Sequence, residues 1–295
     1  MVSEIMTTET NLMRKIVVFL EMIKFSHTVF ALPFALTGAL LAAGGVPAGR
    51  QVFWIILAMV GARTAAMGLN RLIDAEIDAR NPRTAGRAIP AGLIGKGVTL
   101  AFIVAATALM LLAAGMLNPL CLKLAPVALF FLVLYSYCKR FTALAHVVLG
   151  ICLAAAPIGA WTAIRGSVDV PALILGGVVL FWVAGFDILY ALQDLEFDRR
   201  AGLHSIPVVL GAAGSLMAAR LCHLVMLALL LWLFVTLQLG GFFMAGILTA
   251  AAMLLYEHWL LRYGDLEKLD AAFFNMNGYI SVAIFLFTAA DVLTR

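Results

Sequence analysis

Carboxylates recur at four-residue spacing at the ends of two long apolar runs. Asn70, Asp74 and Asp78 form the first set; Asp187, Asp194 and Asp198, with Tyr190 among them, form the second. A helix turns about 100° per residue, so positions 70, 74 and 78 stay within roughly 80° of one another. On a helix the second set likewise shares one stripe. Like charges at this spacing repel by a few tenths of a kcal/mol even in water. At the centre of a membrane helix each costs about 2.5–3.5 kcal/mol. Four unpaired carboxylates, those of the Asp74/Asp78 and Asp194/Asp198 pairs, would then cost roughly 10–14 kcal/mol, comparable to a typical folding stability of about 5–15 kcal/mol. They must lie near an interface, face a watery cavity, or hold cations.

The rest of the chain decides how those acids are presented. It has 295 residues, of which 64% are hydrophobic and only 12% charged, with a mean hydropathy of +1.06. That is too much apolar sequence for one soluble core, and a bilayer-crossing helix needs about 20 such residues. The pattern predicts an all-α integral membrane protein with nine spans, near 17–43, 52–73, 97–117, 119–138, 142–164, 170–192, 215–238, 240–262 and 272–293. Pro33 and Pro157 interrupt two of them, as membrane helices tolerate. The polar start, residues 1–15, lacks a signal-peptide pattern, so the first span should be retained. Alternate connections carry most of the Lys and Arg, including Arg14, Lys15, Arg71, Arg80, Arg83, Arg87, Lys96, Lys139, Arg140, Arg199 and Arg200. The positive-inside rule puts that side, the N-terminus and both acidic sets in the cytoplasm. The chain reads as one domain, with the site carried by loops at about 74–96 and 194–214.

Composition also excludes several classes. Cys121, Cys138, Cys152 and Cys222 show no CxxC spacing, and His27, His146, His204, His223 and His258 no HExxH-like pairing, so neither zinc nor dithiol chemistry is indicated. There is no phosphate-binding P-loop, dinucleotide fingerprint or GxSxG elbow. The net charge of +4 comes from the loop asymmetry rather than from a nucleic-acid surface.

A faint echo links the two acidic regions. Each passes from its last Asp into a basic, Gly-containing segment that ends on Ile-Pro, at Ile89-Pro90 and Ile206-Pro207. This suggests two pseudo-repeated halves around a shared cavity. Carboxylates bind hard cations, and Mg²⁺ usually takes one or two of them together with phosphate oxygens. The surrounding Arg and Lys would repel a metal unless an anion lay between. Acids, metal, polyanion, then bases is the layering of a diphosphate site. With an apolar interior able to hold a lipid tail, this points to a membrane enzyme acting on an isoprenoid diphosphate. Metal and bases would stabilise the departing pyrophosphate and leave an allylic cation.

These residues resemble the UbiA superfamily of intramembrane prenyltransferases, over most of the chain. Asn70-x3-Asp74-x3-Asp78 is similar to its first aspartate-rich motif, and Asp194-x3-Asp198, preceded by Asp187 and Tyr190, to its second. Tyr135-x3-Lys139-Arg140 resembles the segment between them, and Arg63 an arginine two helical turns before the first motif. Gly202-x2-Ser205, the stretch from Lys24 through His27 to Pro33, and Ala272 to Asn277 resemble the 4-hydroxybenzoate polyprenyltransferase-like branch.

The resemblance implies nine helices around a central cavity open toward lipid, and Mg²⁺-dependent transfer of a prenyl group from polyprenyl diphosphate to a ring carbon of an aromatic acid. It implies that Asn70, Asp74 and Asp78 hold one Mg²⁺ and Asp194 and Asp198 another. Arg80, Arg87, Lys139, Arg140 and Arg199 would contact the diphosphate. Asp187 would orient the acceptor or take a proton, and Arg63 would bind pyrophosphate or an acceptor carboxylate, with a buried structural pair as its other reading. Tyr135 and Tyr190 would face the cation, and Lys24 the acceptor pocket or the interface. The default acceptor is 4-hydroxybenzoate, in ubiquinone synthesis in a bacterial inner membrane; a 1,4-dihydroxynaphthoate-type acceptor, in menaquinone synthesis, is the alternative. A cation-coupled transporter or a membrane scaffold are the readings from other classes. No protein partner is indicated.

Overall fold

The computed structural model describes residues 13–23, 31–261 and 269–295, the last stretch in side-chain detail from Met276 onward. Among these residues there are helices and no strands. α1 covers 13–22 and α2 Ala31–Ala43; α3 is Gly49–Ile73, α4 Ala75–Arg80, α5 Lys96–Leu117, α6 Pro119–Cys138 and α7 Ala145–Arg165. α8 (Val170–Tyr190) leads through a 3₁₀ turn, Ala191–Asp194, into α9 (Leu195–Arg200); α10 (Ile206–Thr236), α11 (Gly241–Leu260) and α12 (Leu269–Leu293) complete the chain.

Among the described residues eight helical segments are long and apolar enough to cross a membrane, and α2 is a shorter apolar helix at the end of the first expected span. Lys24 and His27 lie outside the described residues. The other spans fall within a few residues of expectation except the seventh, which starts at Ile206 rather than 215. The reason is a kink: Gly211 has φ 66° and ψ −176°, so the chain turns inside α10 at a residue without a Cβ. Helix ends follow local chemistry. Asn118 accepts from the Cys121 N–H at 2.9 Å with Pro119 in the first position of α6, and Gly166, at φ 72°, closes α7.

Neighbours in sequence are neighbours in space. α3 packs on α5, α7 on α8, α8 on α10, and α11 on α12, while α12 returns to α2, which leans on α7. Between apolar helices in lipid the hydrophobic effect does little, so close van der Waals approach through small residues has to hold the pairs together. A Cβ on Gly61 of α3 would meet the Ala106 carbonyl and Met110 nitrogen of α5 at 2.7 Å, and one on Gly150 of α7 the Leu180 carbonyl of α8 at 2.5 Å. Trp182 and Phe34 are fully buried in the bundle, their ring centroids 5.0 Å apart. The Trp182 indole donates to Asn277 Oδ1 at 2.9 Å, joining α8 to α12.

α1 has a separate task. Phe19, Met22 and Ile23 pack with Ala88 and Ile94, and Phe19 stacks on Phe102 of α5 at 4.5 Å. This apolar patch anchors the loop between α4 and α5 from below.

Gly61→Ala should therefore lower thermal stability by about 1–3 kcal/mol, the usual range for overpacking. Gly159→Ala, where a Cβ meets nothing within 4 Å, should not. Thermal unfolding in detergent checks the pair; equal midpoints would contradict the close-contact account.

Candidate active site

Both acid-bearing helices break at the first aspartate of their motif. α3 stops at Ile73, Asp74 takes φ −89° and ψ 4°, and the six-residue α4 restarts at Ala75. α8 stops at Tyr190, the chain tightens into the 3₁₀ turn, Asp194 takes φ −98° and ψ 2°, and the six-residue α9 follows. The echo in sequence is thus an echo in backbone. The unbroken helical stripe expected from four-residue spacing does not form. Asp78, Asp194 and Asp198 are buried, and a buried carboxylate needs a partner that the apolar helix itself does not offer. The breaks let loop residues reach them.

Each carboxylate meets its own base. Arg140 Nη2 donates to Asp74 Oδ1 at 3.2 Å and to the Ile73 carbonyl at 2.9 Å, closing the broken end of α3. Arg87 Nη1 donates to Asp78 Oδ1 at 2.5 Å. Arg83 grips Asp194 with two nitrogens, Nε to Oδ1 at 2.9 Å and Nη2 to Oδ2, while Asn81 adds a bond to Oδ1 at 3.1 Å. Lys139 Nζ lies 3.5 Å from Asp198 Oδ2. The bases cross between the halves: Arg83 comes from the loop after the first motif yet holds the second. Lys139 and Arg140, adjacent at the end of α6, divide between the two. The Lys139 carbonyl also accepts the His204 N–H at 2.7 Å, fastening the α9–α10 loop.

The expected aromatic and polar neighbours are partly assembled. Asn70 Nδ2 donates to Asp74 Oδ2 at 2.9 Å. The Arg83 guanidinium lies 5.5 Å from the Tyr190 ring centroid and donates to its hydroxyl at 3.2 Å. Tyr135, half-buried on α6, is within electrostatic reach of Asp74 and Asp187. Asp187 bonds His146 at 2.7 Å. Arg63 lies about 10 Å before Asn70 along α3, and its buried Nε has no hydrogen-bond partner. Two expected residues stand apart from the four acids. Arg80 is exposed and donates to the Glu76 carbonyl at 3.1 Å, and Arg199, 54% exposed, pairs with Glu196 at 3.5 Å. Both sit at the outer ends of six-residue helices and bond within them.

Does the set fit a metal? Among the described residues no three acid, His or Cys side chains come close enough to hold an ion alone. The donors that are present are all oxygen, which suits a hard cation. Asp78 Oδ2 is buried with no hydrogen-bond partner. Burial, opposed by Arg140 but reinforced by the Asp78 charge, pushes the Asp74 carboxyl up to about 6. Both features call for more positive charge, and a cation that takes its remaining ligands from phosphate oxygens fits.

Sequence reasoning left out of its site Arg83, Asn81 and His146. Arg83 was one of several bases in the first loop, and only the fold distinguishes it from Arg80. His146 is 41 residues from Asp187, and no spacing rule links them.

The chain resembles known proteins over most of its length. Residues 31–279 match the sequence model of the UbiA prenyltransferase family. A 4-hydroxybenzoate octaprenyltransferase from Aliivibrio fischeri (strain MJ11) is 31% identical over 253 residues, 86% of this chain and 88% of that protein. The apo structure of a UbiA homolog from Aeropyrum pernix K1 superposes with a TM-score of 0.83 at 32% identity, covering 91% of this chain and 98% of that one. A UbiA homolog from Archaeoglobus fulgidus, bound to DMAPP and Mg²⁺, shares the fold at a TM-score of 0.69 and 18% identity, covering 93% and 98%.

Arg83→Ala should strand the Asp194 charge. Stranding a fully buried charge costs about 3–5 kcal/mol; with Arg83 32% exposed the loss should be smaller but measurable. Adding Asp194→Asn to Arg83→Ala should recover part of it, because the stranded charge is gone. Thermal unfolding of the single and double variants checks the sign; a further loss on adding Asp194→Asn would contradict the pairing.

Proposed function

The chain belongs to the UbiA prenyltransferase family, and from that premise we propose that it transfers a polyprenyl group from its diphosphate to a ring carbon of 4-hydroxybenzoate at the paired acid–base cluster. The chain is an integral membrane enzyme, an aromatic prenyltransferase. The observation that carries the site assignment is the convergence of four carboxylates and four bases from both halves at one end of the bundle. The acceptor is supported by the name of relatives that are about 30% identical across nearly the whole of both chains. Family membership leaves the transporter and scaffold readings without support.

Mg²⁺ would be held by Asn70, Asp74 and Asp78 on one arm and by Asp194 and Asp198 on the other, and when bound would supply charge neutralisation to the diphosphate. The chain's own bases do the rest. Arg83, Arg87, Lys139 and Arg140 bond carboxylates at present, and an arriving diphosphate offers each a more highly charged oxygen partner. They turn from acid to phosphate and orient the leaving group. The Tyr190 ring lies beside Arg83 and, with Tyr135, lines the path of the allylic carbon, where ring faces favour cationic charge. The unpartnered Arg63 Nε supports a role for this residue toward an anion, the acceptor carboxylate being the one available below the cluster. Asp187 is the proton acceptor for the ring. Arg80 and Arg199 remain at the rim. The loop charges support a cytoplasmic site and N-terminus in a bacterial inner membrane.

Purified protein with radiolabelled polyprenyl diphosphate, Mg²⁺ and a panel of aromatic acids should label 4-hydroxybenzoate above 1,4-dihydroxynaphthoate, and a chelator should abolish the transfer. Failure to label any acceptor would contradict the function, and preferential labelling of another acid would contradict the acceptor.

A further inference from the structure

His146 fits no metal-binding spacing, yet it is fully buried on α7 against Asp187 of α8. Its Nδ1 lies 2.7 Å from Asp187 Oδ2, and its Nε2 accepts from the backbone N–H of Ile206 at 3.4 Å. A neutral imidazole has one donor and one acceptor nitrogen. The Ile206 N–H can only donate, so Nε2 is the acceptor and Nδ1 carries the hydrogen that is given to Asp187. The tautomer follows from the two partners. Ile206 opens α10, where the first N–H groups have no partner within the helix. Ser205 Oγ takes the Val208 N–H at 3.4 Å, and His146 takes that of Ile206. The start of α10, which follows directly on the second acidic motif and its loop, therefore sets the orientation of a ring on α7, and that ring sets Asp187 on α8.

We propose that His146 is the positioning residue that holds Asp187 as the ring-proton acceptor of the transfer, with Oδ2 fixed and Oδ1 presented to the acceptor. This rests on the function proposed above. In the step it serves, the allylic C–O bond breaks and its electron pair leaves with pyrophosphate. A ring carbon forms the new bond to C1 of the prenyl chain. That carbon then gives its proton to the Asp187 carboxylate, and the ring regains aromaticity. Among the described residues no side chain bonds Asp187 Oδ1, so it is open to the proton. His146 does not take the proton itself: Nδ1 already carries one, and Nε2 is turned to the Ile206 N–H. Its work is to fix the direction of the carboxylate. Tyr135 of α6 also lies within electrostatic reach of Asp187.

Steady-state kinetics of purified enzyme with Mg²⁺, polyprenyl diphosphate and 4-hydroxybenzoate test this. His146→Ala should lower kcat about a hundredfold, the lower range for loss of a well-placed proton acceptor, with the KM for the diphosphate unchanged. His146→Asn, whose amide nitrogen stands near the place of Nδ1, should restore much of kcat. His146→Gln, whose amide reaches instead toward the place of Nε2, should not. Wild-type kcat in His146→Ala, or equal kcat in the Asn and Gln variants, would overturn the proposal. If His146→Ala does not fold, the Asn and Gln variants carry the test alone. A wild-type protein that labels no acceptor would refute the function instead, so the two failures are distinct.

Discussion

Four carboxylates buried or half-buried at the end of an apolar bundle have to be neutralised, and the structure is arranged around that need. Asp74, Asp78, Asp194 and Asp198 each take a cation from a loop. Removing either partner of such a pair leaves a stranded charge, so the pairs specify the arrangement more than they stabilise it. They also account for the backbone. A continuous helix would present the acids to its own apolar flank, whereas the breaks at Asp74 and Asp194 turn them to Arg83, Arg87, Lys139 and Arg140.

The pairing joins the two halves. Arg83 belongs to the loop after the first motif and holds the acid of the second, while Lys139 and Arg140 reach one acid on each side. A site built this way is sensitive to an anion that competes for the bases and to a cation that competes for the acids. A metal–diphosphate pair does both at once and leaves the total charge balanced. The helices below contribute position: close glycine contacts bring α3 to α5 and α7 to α8, and α1 supports the loop that carries Arg83 and Arg87.

Much of this was legible in the residues. Hydropathy alone located most spans to within a few residues, because a bilayer-length apolar run has few other solutions. The acids and the basic loops stood out against a background with little charge. What spacing did not reveal has physical reasons. Four-residue spacing fits an unbroken helix as well as a broken one, so the turns at Asp74 and Asp194 were hidden. Arg80, Arg83 and Arg87 lie within eight positions of one another, and only the packed loop shows that Arg80 bonds its own helix while Arg83 crosses to Asp194. His146 meets Asp187 through tertiary packing alone. The earlier start of α10 turned on Gly211, whose kink joins what hydropathy reads as loop to what it reads as span.

On the proposed function both acidic arms serve one metal–diphosphate site. Calorimetric titration of purified protein in lipid nanodiscs with an unreactive prenyl thiodiphosphate tests it most directly. Binding should require Mg²⁺ and be lost alike in Asp74→Ala and Asp194→Ala, both still folded. Undiminished Mg²⁺-dependent binding in either folded variant would contradict it.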